Sequence, residues 1–356
     1  MTENMWTEEE LDRAIADQPA GPVFTAEARE RALARMVAAG EAPRPVKRWL
    51  VAAAAVTLVA GALVAVPALW SDDSGPAASA TETLRRAAAA TTGQTRPSAG
   101  QYQYVVTHSW DLGSATTGAG NPISALFHSV REQWIPADRS AEWLERRATL
   151  DRRWLVGSDE QAKTEGDGGL LQEDTSTKER RGPCGDYPDV NEELGGDPDW
   201  GKPCAERVGN WGNLNPRFLS SLPTSPQALY DRLWSDSMGH AETALSNAAG
   251  VLASPEASPE LRSALYQALQ NLPDFQVTEA TANLNGQVGT ALGVHGDVNR
   301  YDIIIDPETG RYIGTRWVLL KPGTDMWEGL PAGTVVSFSA VDFAVVDRAG
   351  DEPPTK

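Results

Sequence analysis

"NRYDIIIDPETGRYIGTRWVLL", residues 299–320, is the stretch whose reading decides the fold. Two runs of strand-like composition flank Asp306-Pro307-Glu308-Thr309-Gly310, a tight hairpin turn with glycine where the backbone wants positive φ. This is the sharpest local signal in the chain, and it sets two antiparallel strands side by side. The period of two extends outward from it: "FQVTEATA" (275–282), "GTALGVHG" (289–296) and "GTVVSFSAVDFAVV" (333–346) read as three further strands.

Upstream of these strands the period lengthens to that of a helix. Ser225-Pro226 places a cap and a first-turn proline ahead of Leu229, Tyr230, Leu233 and Trp234, and Ser258-Pro259 does the same ahead of Leu261, Leu265 and Leu269. Between them Ala241, Ala244, Leu245, Ala248 and Leu252 form a third apolar stripe. Further upstream, "QYQYVVTHSW" (101–110) alternates, with Tyr102, Tyr104, Val106, His108 and Trp110 on one face. "HSVREQWIPA" (128–137), "SAEWLERRA" (140–148) and "RRWLVG" (152–157) read as three more short strands. The order is strands, an insertion, helices, strands, which predicts an α+β domain over 101–348 with an antiparallel sheet and helices packed on one side.

Residues 157–215, rich in Gly, Asp, Glu and Pro with little apolar periodicity, read as a long irregular insertion, and it carries both cysteines, Cys184 and Cys204. On the oxidising side of a membrane the two read as one disulfide closing a loop of about 20 residues, worth about 3 kcal/mol when unstrained. Asp197-Pro198-Asp199-Trp200-Gly201 lacks the third acidic position of a calcium loop and puts Val208 where a bidentate Glu belongs, so it reads as solvated loop.

The other decisive stretch is "APRPVKRWLVAAAAVTLVAGALVAVPALWSDD" (42–73). Trp49 to Trp70 carries no charge, and as a helix it covers about 33 Å, enough for the hydrocarbon core of a bilayer. Its Leu and Val residues favour insertion by about 3–5 kcal/mol. Arg44, Lys47 and Arg48 on one flank and Asp72 and Asp73 on the other place the N-terminus in the cytoplasm and the C-terminus outside. A secretory signal is shorter and lies at the very start of a chain, so 49–70 is expected as a permanent single span in the cell membrane. Residues 71–100, rich in Ser, Gly, Pro, Ala and Thr, read as a flexible linker with a helical turn around 83–90. Residues 1–48 hold two short helices, the first behind the capping box Thr7-Glu8-Glu9-Glu10. Their apolar residues Leu11, Ile15, Leu33, Met36 and Val37 are candidate contacts for a cytoplasmic partner, the alternative being an unstructured tail.

A net charge of −18 argues against nucleic-acid binding through a general electrostatic footprint. His108, His128, His240 and His295 are scattered, and no G-x-S-x-G elbow, H-E-x-x-H helix, P-loop or dinucleotide fingerprint is present. Asp302 and Asp306 bracket an apolar triplet and read as the charged ends of a strand near a turn. No catalytic set, metal site or cofactor is therefore expected.

The short N-terminal helices, the single span, "YQYVVTHSW", "NPRFLSSLPTSPQALYDRLW", "SPELRSALYQALQNLP" and "YDIIIDPETGRYIGTRWV" together resemble an actinobacterial single-pass membrane-protein family. Its members tend to be encoded beside extracytoplasmic-function sigma factors. The outer domain also resembles, in architecture, the half-barrel of LolA- and RseB-like periplasmic proteins, in which a curved sheet holds apolar ligand or senses envelope state. The resemblance implies an anti-sigma-like regulator that links outer sensing to a cytoplasmic sigma factor. The zinc-binding H-x-x-x-C-x-x-C pattern of many anti-sigma domains is absent from 1–48, so such a partner would be held without metal. The competing expectation is a membrane-tethered binding module whose aromatic face, Tyr102, Tyr104, Trp110, Trp134 and Trp143, lines an apolar groove for lipid or another hydrophobic ligand. Against that stands the plain alternative that these aromatics fill the core beneath the helices.

Overall fold

The hairpin turn forms where the sequence requires it and shows how sheet and helices meet. Gly310 has φ +65°, and a Cβ there would lie 2.4 Å from the Ala87 carbonyl oxygen. The Asp306 carboxylate accepts from the Glu308 amide at 2.9 Å and the Thr309 hydroxyl at 2.7 Å, which closes the turn. The buried Tyr266 hydroxyl donates to the Gly310 carbonyl at 2.7 Å, so the tip of the hairpin is locked into the helix layer.

The computed structural model describes residues 76–91, 96–166, 169–171, 176–187, 202–283 and 286–353. In chain order the elements are α1 (Pro76–Ala90), β1 (Tyr102–Thr116), β2 (Pro122–Pro136), β3 (Glu142–Val156), α2 (Asp159–Glu165), β4 (Lys178–Pro183) and α3 (Pro216–Ser221). There follow α4 (Pro226–Asp236), α5 (Ala241–Ala253), α6 (Pro259–Leu269), β5 (Gln276–Ala282), β6 (Val288–His295), β7 (Asn299–Asp306), β8 (Arg311–Leu319) and β9 (Val335–Val346). The strands form one open antiparallel sheet in the order β4-β3-β2-β1-β9-β8-β7-β6-β5. The last strand, β9, lies between β1 and β8 and joins an N-terminal to a C-terminal meander.

Helices α1, α4, α5 and α6 pack on one face of this sheet, chiefly over the C-terminal meander. Leu84, Leu229, Leu245, Leu252, Leu265 and Leu269 meet Leu292, Ile303, Ile305 and Val341 there. Each such side chain taken out of water contributes about 1.5–3 kcal/mol, and this layer is the main core. The Ser258 hydroxyl caps α6 by accepting from the Leu261 amide at 3.1 Å. Ser225 makes no such bond, and α4 starts on Pro226 alone.

Four expectations need correction. Residues 76–90 are not linker but helix: Ala80, Leu84 and Ala87 of α1 are buried in the core, because an alanine-rich stretch with Leu at its centre fits the close approach of α6. The strands expected at 140–148 and 152–157 are one strand, β3, whose register against β2 shifts at Leu150 and Leu155; those bulges break the period of two that marked an apparent gap. The insertion 157–215 is not irregular throughout, since it supplies α2, edge strand β4 and α3. Asp302 does not end a strand: it lies in mid-β7 on the face away from the helices. There it is fully buried, 2.9 Å from Arg316 and 3.1 Å from Arg300, and accepts from the Thr278 hydroxyl at 3.1 Å.

The 1–48 segment, the 49–70 span and the flanking Arg44, Lys47, Arg48, Asp72 and Asp73 lie outside the described residues, as do the candidate contacts Leu11, Ile15, Leu33, Met36 and Val37. Among the described residues no helix is long and apolar enough to cross a membrane. Leu84, 0 % exposed, tests whether α1 belongs to the fold. Leu84→Ala is expected to lower unfolding stability by about 2–5 kcal/mol in urea titration. An unchanged midpoint would mean that α1 is not part of the core.

Candidate functional site

The five aromatics expected to line one groove do not lie together. Tyr104 and Trp134 are cross-strand partners, and with Leu144 and Val346 they form a small cluster, joined by Tyr102, on the face away from the helices. The C-terminal segment covers that cluster: Trp134 Nε1 donates to the Asp351 carbonyl at 2.6 Å, and Ala349 packs alongside. Trp110 lies further along the same face, stacked on His128 at 4.6 Å between ring centroids. Trp143 points to the opposite face, packs on the main core and donates from Nε1 to the Arg139 carbonyl at 3.1 Å.

The helix-bearing face of β1–β4 has a different character. At one end Val105, Ile135 and Trp143 join the main core. At the other, Ile123, Phe127 and Trp154 are covered by Ala162 of α2 and by Leu170. Between these two apolar walls no helix among the described residues covers the sheet, and a groove of about 440 Å³ remains. That volume is within the range of small-molecule sites.

The strand register puts the floor of the groove into rows. Thr107, Arg131, Arg147 and Lys178 are successive cross-strand partners on β1, β2, β3 and β4. Ser109, Ser129 and Thr149 make the next row, with the Ser109 and Ser129 hydroxyls 3.0 Å apart. On the other side Gln133, Glu145 and Arg180 make a third. Glu145, only 1 % exposed, sits at the base of the site with Arg147 Nε 2.5 Å away and Gln133 Nε2 at 3.2 Å. Among the described residues Arg131, Arg147, Lys178 and Arg180 line the groove, with Glu145 paired to Arg147 at its base, in a chain of net charge −18. Burial lowers the pKa of Arg131 from its ordinary value; Glu145 opposes this and Arg147 adds to it. Arg131 is nonetheless exposed, at the bottom of a hollow that protein surrounds and solvent enters.

Like charges directly opposite on neighbouring strands destabilise a sheet, and the central row contains two such pairs, Arg131–Arg147 and Arg147–Lys178. An anion in the groove would reverse the sign of that cost. A second hollow, between α1, α4 and α6, is lined by small and amide side chains around Arg85, whose guanidinium is taken by Glu82 at 2.8 Å.

Sequence reasoning passed over these residues, although a signal was there. Arg146-Arg147, Arg152-Arg153 and Arg180-Arg181 are three arginine pairs within an acidic chain. In a strand such a pair sends one cation to each face, so the two paired strands that carry them, β3 and β4, concentrate positive charge on both. Nothing local says which face stays open.

Cys184 and Cys204 sit at disulfide distance, their Cα atoms 5.9 Å apart. With the Asp186–Arg207 ion pair they tie the end of β4, which carries Lys178 and Arg180, to the segment that leads into α3. The Gly182–Gly185 turn packs on Trp143, where a Cβ on Gly185 would fall 2.8 Å from the indole ring. Among the described residues no three His, Cys, Asp or Glu side chains converge to hold a metal ion. Compared with protein-family models, with curated proteins and with solved structures, the chain gives no match.

On the far side of the groove floor, His128 is 2 % exposed and neither ring nitrogen has a hydrogen-bond partner among the described residues. Burial, helped by His108, lowers its pKa to about 4, against an ordinary value of about 6.5, with Asp151 opposing. The unfolded chain therefore takes up this proton first as pH falls. Stability from this residue is complete above about pH 6.5, is lost down to about pH 4, and is flat below. His128→Phe, which keeps a stacking ring for Trp110, is expected to shallow the fall in urea midpoint across that window relative to wild type. Parallel pH profiles would refute a buried neutral His128.

Proposed function

We propose that this chain is a single-pass membrane regulator whose outer domain binds an oxyanion in the groove of β1–β4. The observation that carries the binding reading is the cross-strand row Arg131–Arg147–Lys178. Such a row works against the sheet that holds it, and a local conflict of this kind is expected where a site is built for a ligand. Arginine forks and hydroxyl donors aimed into one hollow suit an oxyanion better than an apolar molecule. The open sheet with helices on one side supports the half-barrel likeness, with a polar concavity in place of an apolar one.

In this reading residues 49–70 hold the protein in the membrane with the N-terminus inside. Residues 1–48, through Leu11, Ile15, Leu33, Met36 and Val37, engage a cytoplasmic partner, an extracytoplasmic-function sigma factor by the family resemblance. In sequence, only Ser71 to Gly75 separate Trp70 from α1. A sigma factor should co-purify with the full-length chain and be lost when 1–48 is deleted; retention after the deletion would remove the regulatory half of the proposal.

The binding half is tested by Arg131→Gln. Arg147 stands directly opposite Arg131 on the neighbouring strand, so the variant, which removes a like-charge pair, is expected to unfold at the same or a higher urea concentration than wild type. Its affinity for pyrophosphate in calorimetry should nonetheless drop about tenfold, as expected for losing a charged hydrogen-bond partner. Unchanged affinity, or stability falling together with affinity, would assign Arg131 a structural role instead.

A further inference from the structure

We infer that the groove takes a short linear phosphoryl anion lying across the strands, with its far end over the edge strand β4. This rests on the groove being an anion site and adds the ligand's shape and chemistry. Direction comes from the walls. Along the strands the groove is closed by Val105, Ile135 and Trp143 at one end and by Phe127, Trp154 and Leu170 at the other. Across the strands none of the described residues closes it: β4 is the edge of the sheet and carries the last cation of the row, Lys178.

Length comes from the register. Arg131, Arg147 and Lys178 stand one per strand, and neighbouring strands are about 4.8 Å apart, so the three cations mark a line of about 10 Å. A single compact anion meets one or two of them. A chain of two or three linked phosphoryl groups meets all three. The strongly negative charge of the rest of the protein repels long polyanions, which restricts the ligand to a short one.

Chemistry comes from the neighbouring row. A guanidinium takes two coplanar oxygens, and a carboxylate has only two to give. A phosphoryl group has further oxygens out of that plane. The hydroxyls of Ser109, Ser129 and Thr149, one step along the strands from the cations, are placed to donate to them. Free oligophosphate and a short phosphodiester share this chemistry, and the two are separated by the choice of probe.

The test is calorimetric titration of the full-length protein in detergent, at fixed salt, with orthophosphate, pyrophosphate, tripolyphosphate, a glycerol-phosphodiester trimer and citrate. Affinity is expected to rise at least about tenfold from orthophosphate to tripolyphosphate, with citrate far weaker than tripolyphosphate at matched charge. Whichever of tripolyphosphate and the diester trimer binds more tightly identifies the source. Lys178→Gln should weaken tripolyphosphate about tenfold and orthophosphate by less, because the longer ligand must span the row to β4. Equal affinity for ortho- and tripolyphosphate, or citrate matching tripolyphosphate, would overturn the linear phosphoryl assignment while leaving an anion groove in place. No binding by any probe would overturn both. The ligand series on wild type needs no variant, so a Lys178→Gln protein that failed to fold would still leave the inference open to refutation.

Discussion

A row of like charges across three adjacent strands cannot be put under a helix, and this constraint shapes the molecule. Burying Arg131, Arg147 and Lys178 beneath apolar side chains would cost several kcal/mol for each ion taken out of water. The helix layer accordingly covers the sheet where its inner face is Leu, Ile and Val and stops where that face turns cationic. The cover resumes at α2, over Ile123 and Phe127. One face of one sheet therefore carries a large core, an open polar groove and a small core in succession. The walls of the groove are the ends of the two packed zones.

Topology ties that groove to the rest of the sheet. Strand β9 pairs with β1 on one side and β8 on the other, so the floor of the site continues into the strands under the main helix layer. The hydroxyl row follows the same path: Ser339 is the partner of Ser109 across β9, and its hydroxyl is 2.8 Å from that of Thr315 on β8. The hairpin tip is held from the helix side by Tyr266 and from below by the sheet. At the other edge β4, a short and charged strand paired along one side, is tied down by Cys184–Cys204 and by Asp186–Arg207. Without those ties the outermost cation of the row would rest on six residue pairs at an exposed edge.

The two faces of the N-terminal meander are used differently. The face away from the helices holds Tyr104, Trp134, His128 and Trp110, packed on one another or beneath the C-terminal segment. The groove face holds arginines and hydroxyls. Alternation along β2 produces this division within five residues: His128, Val130 and Glu132 face one way, Ser129 and Arg131 the other. The aromatic set that looked like a ligand surface is mostly internal packing, and the charged residues between the aromatics line the open side.

By itself the sequence determined every element whose signal is local. The hairpin at Asp306–Gly310, the proline starts of α4 and α6, and the alternation of β5 to β9 follow from turn chemistry, caps and period, which act over a few neighbouring residues. The cysteine pair was legible because the chain has only two. The tertiary structure alone decided what depends on partners far along the chain. Lys178–Pro183 is a strand only because β3 offers it an edge; Asp302 is tolerated in mid-strand only because Arg300 and Arg316 converge on it. Residues 76–90 are core only because α6 and the hairpin tip lie against them. The groove belongs to the same group. Alternation told which residues share a face, but only the placement of the helices told which part of that face stays uncovered, because coverage is set by long-range packing and not by the residues that are left in the open.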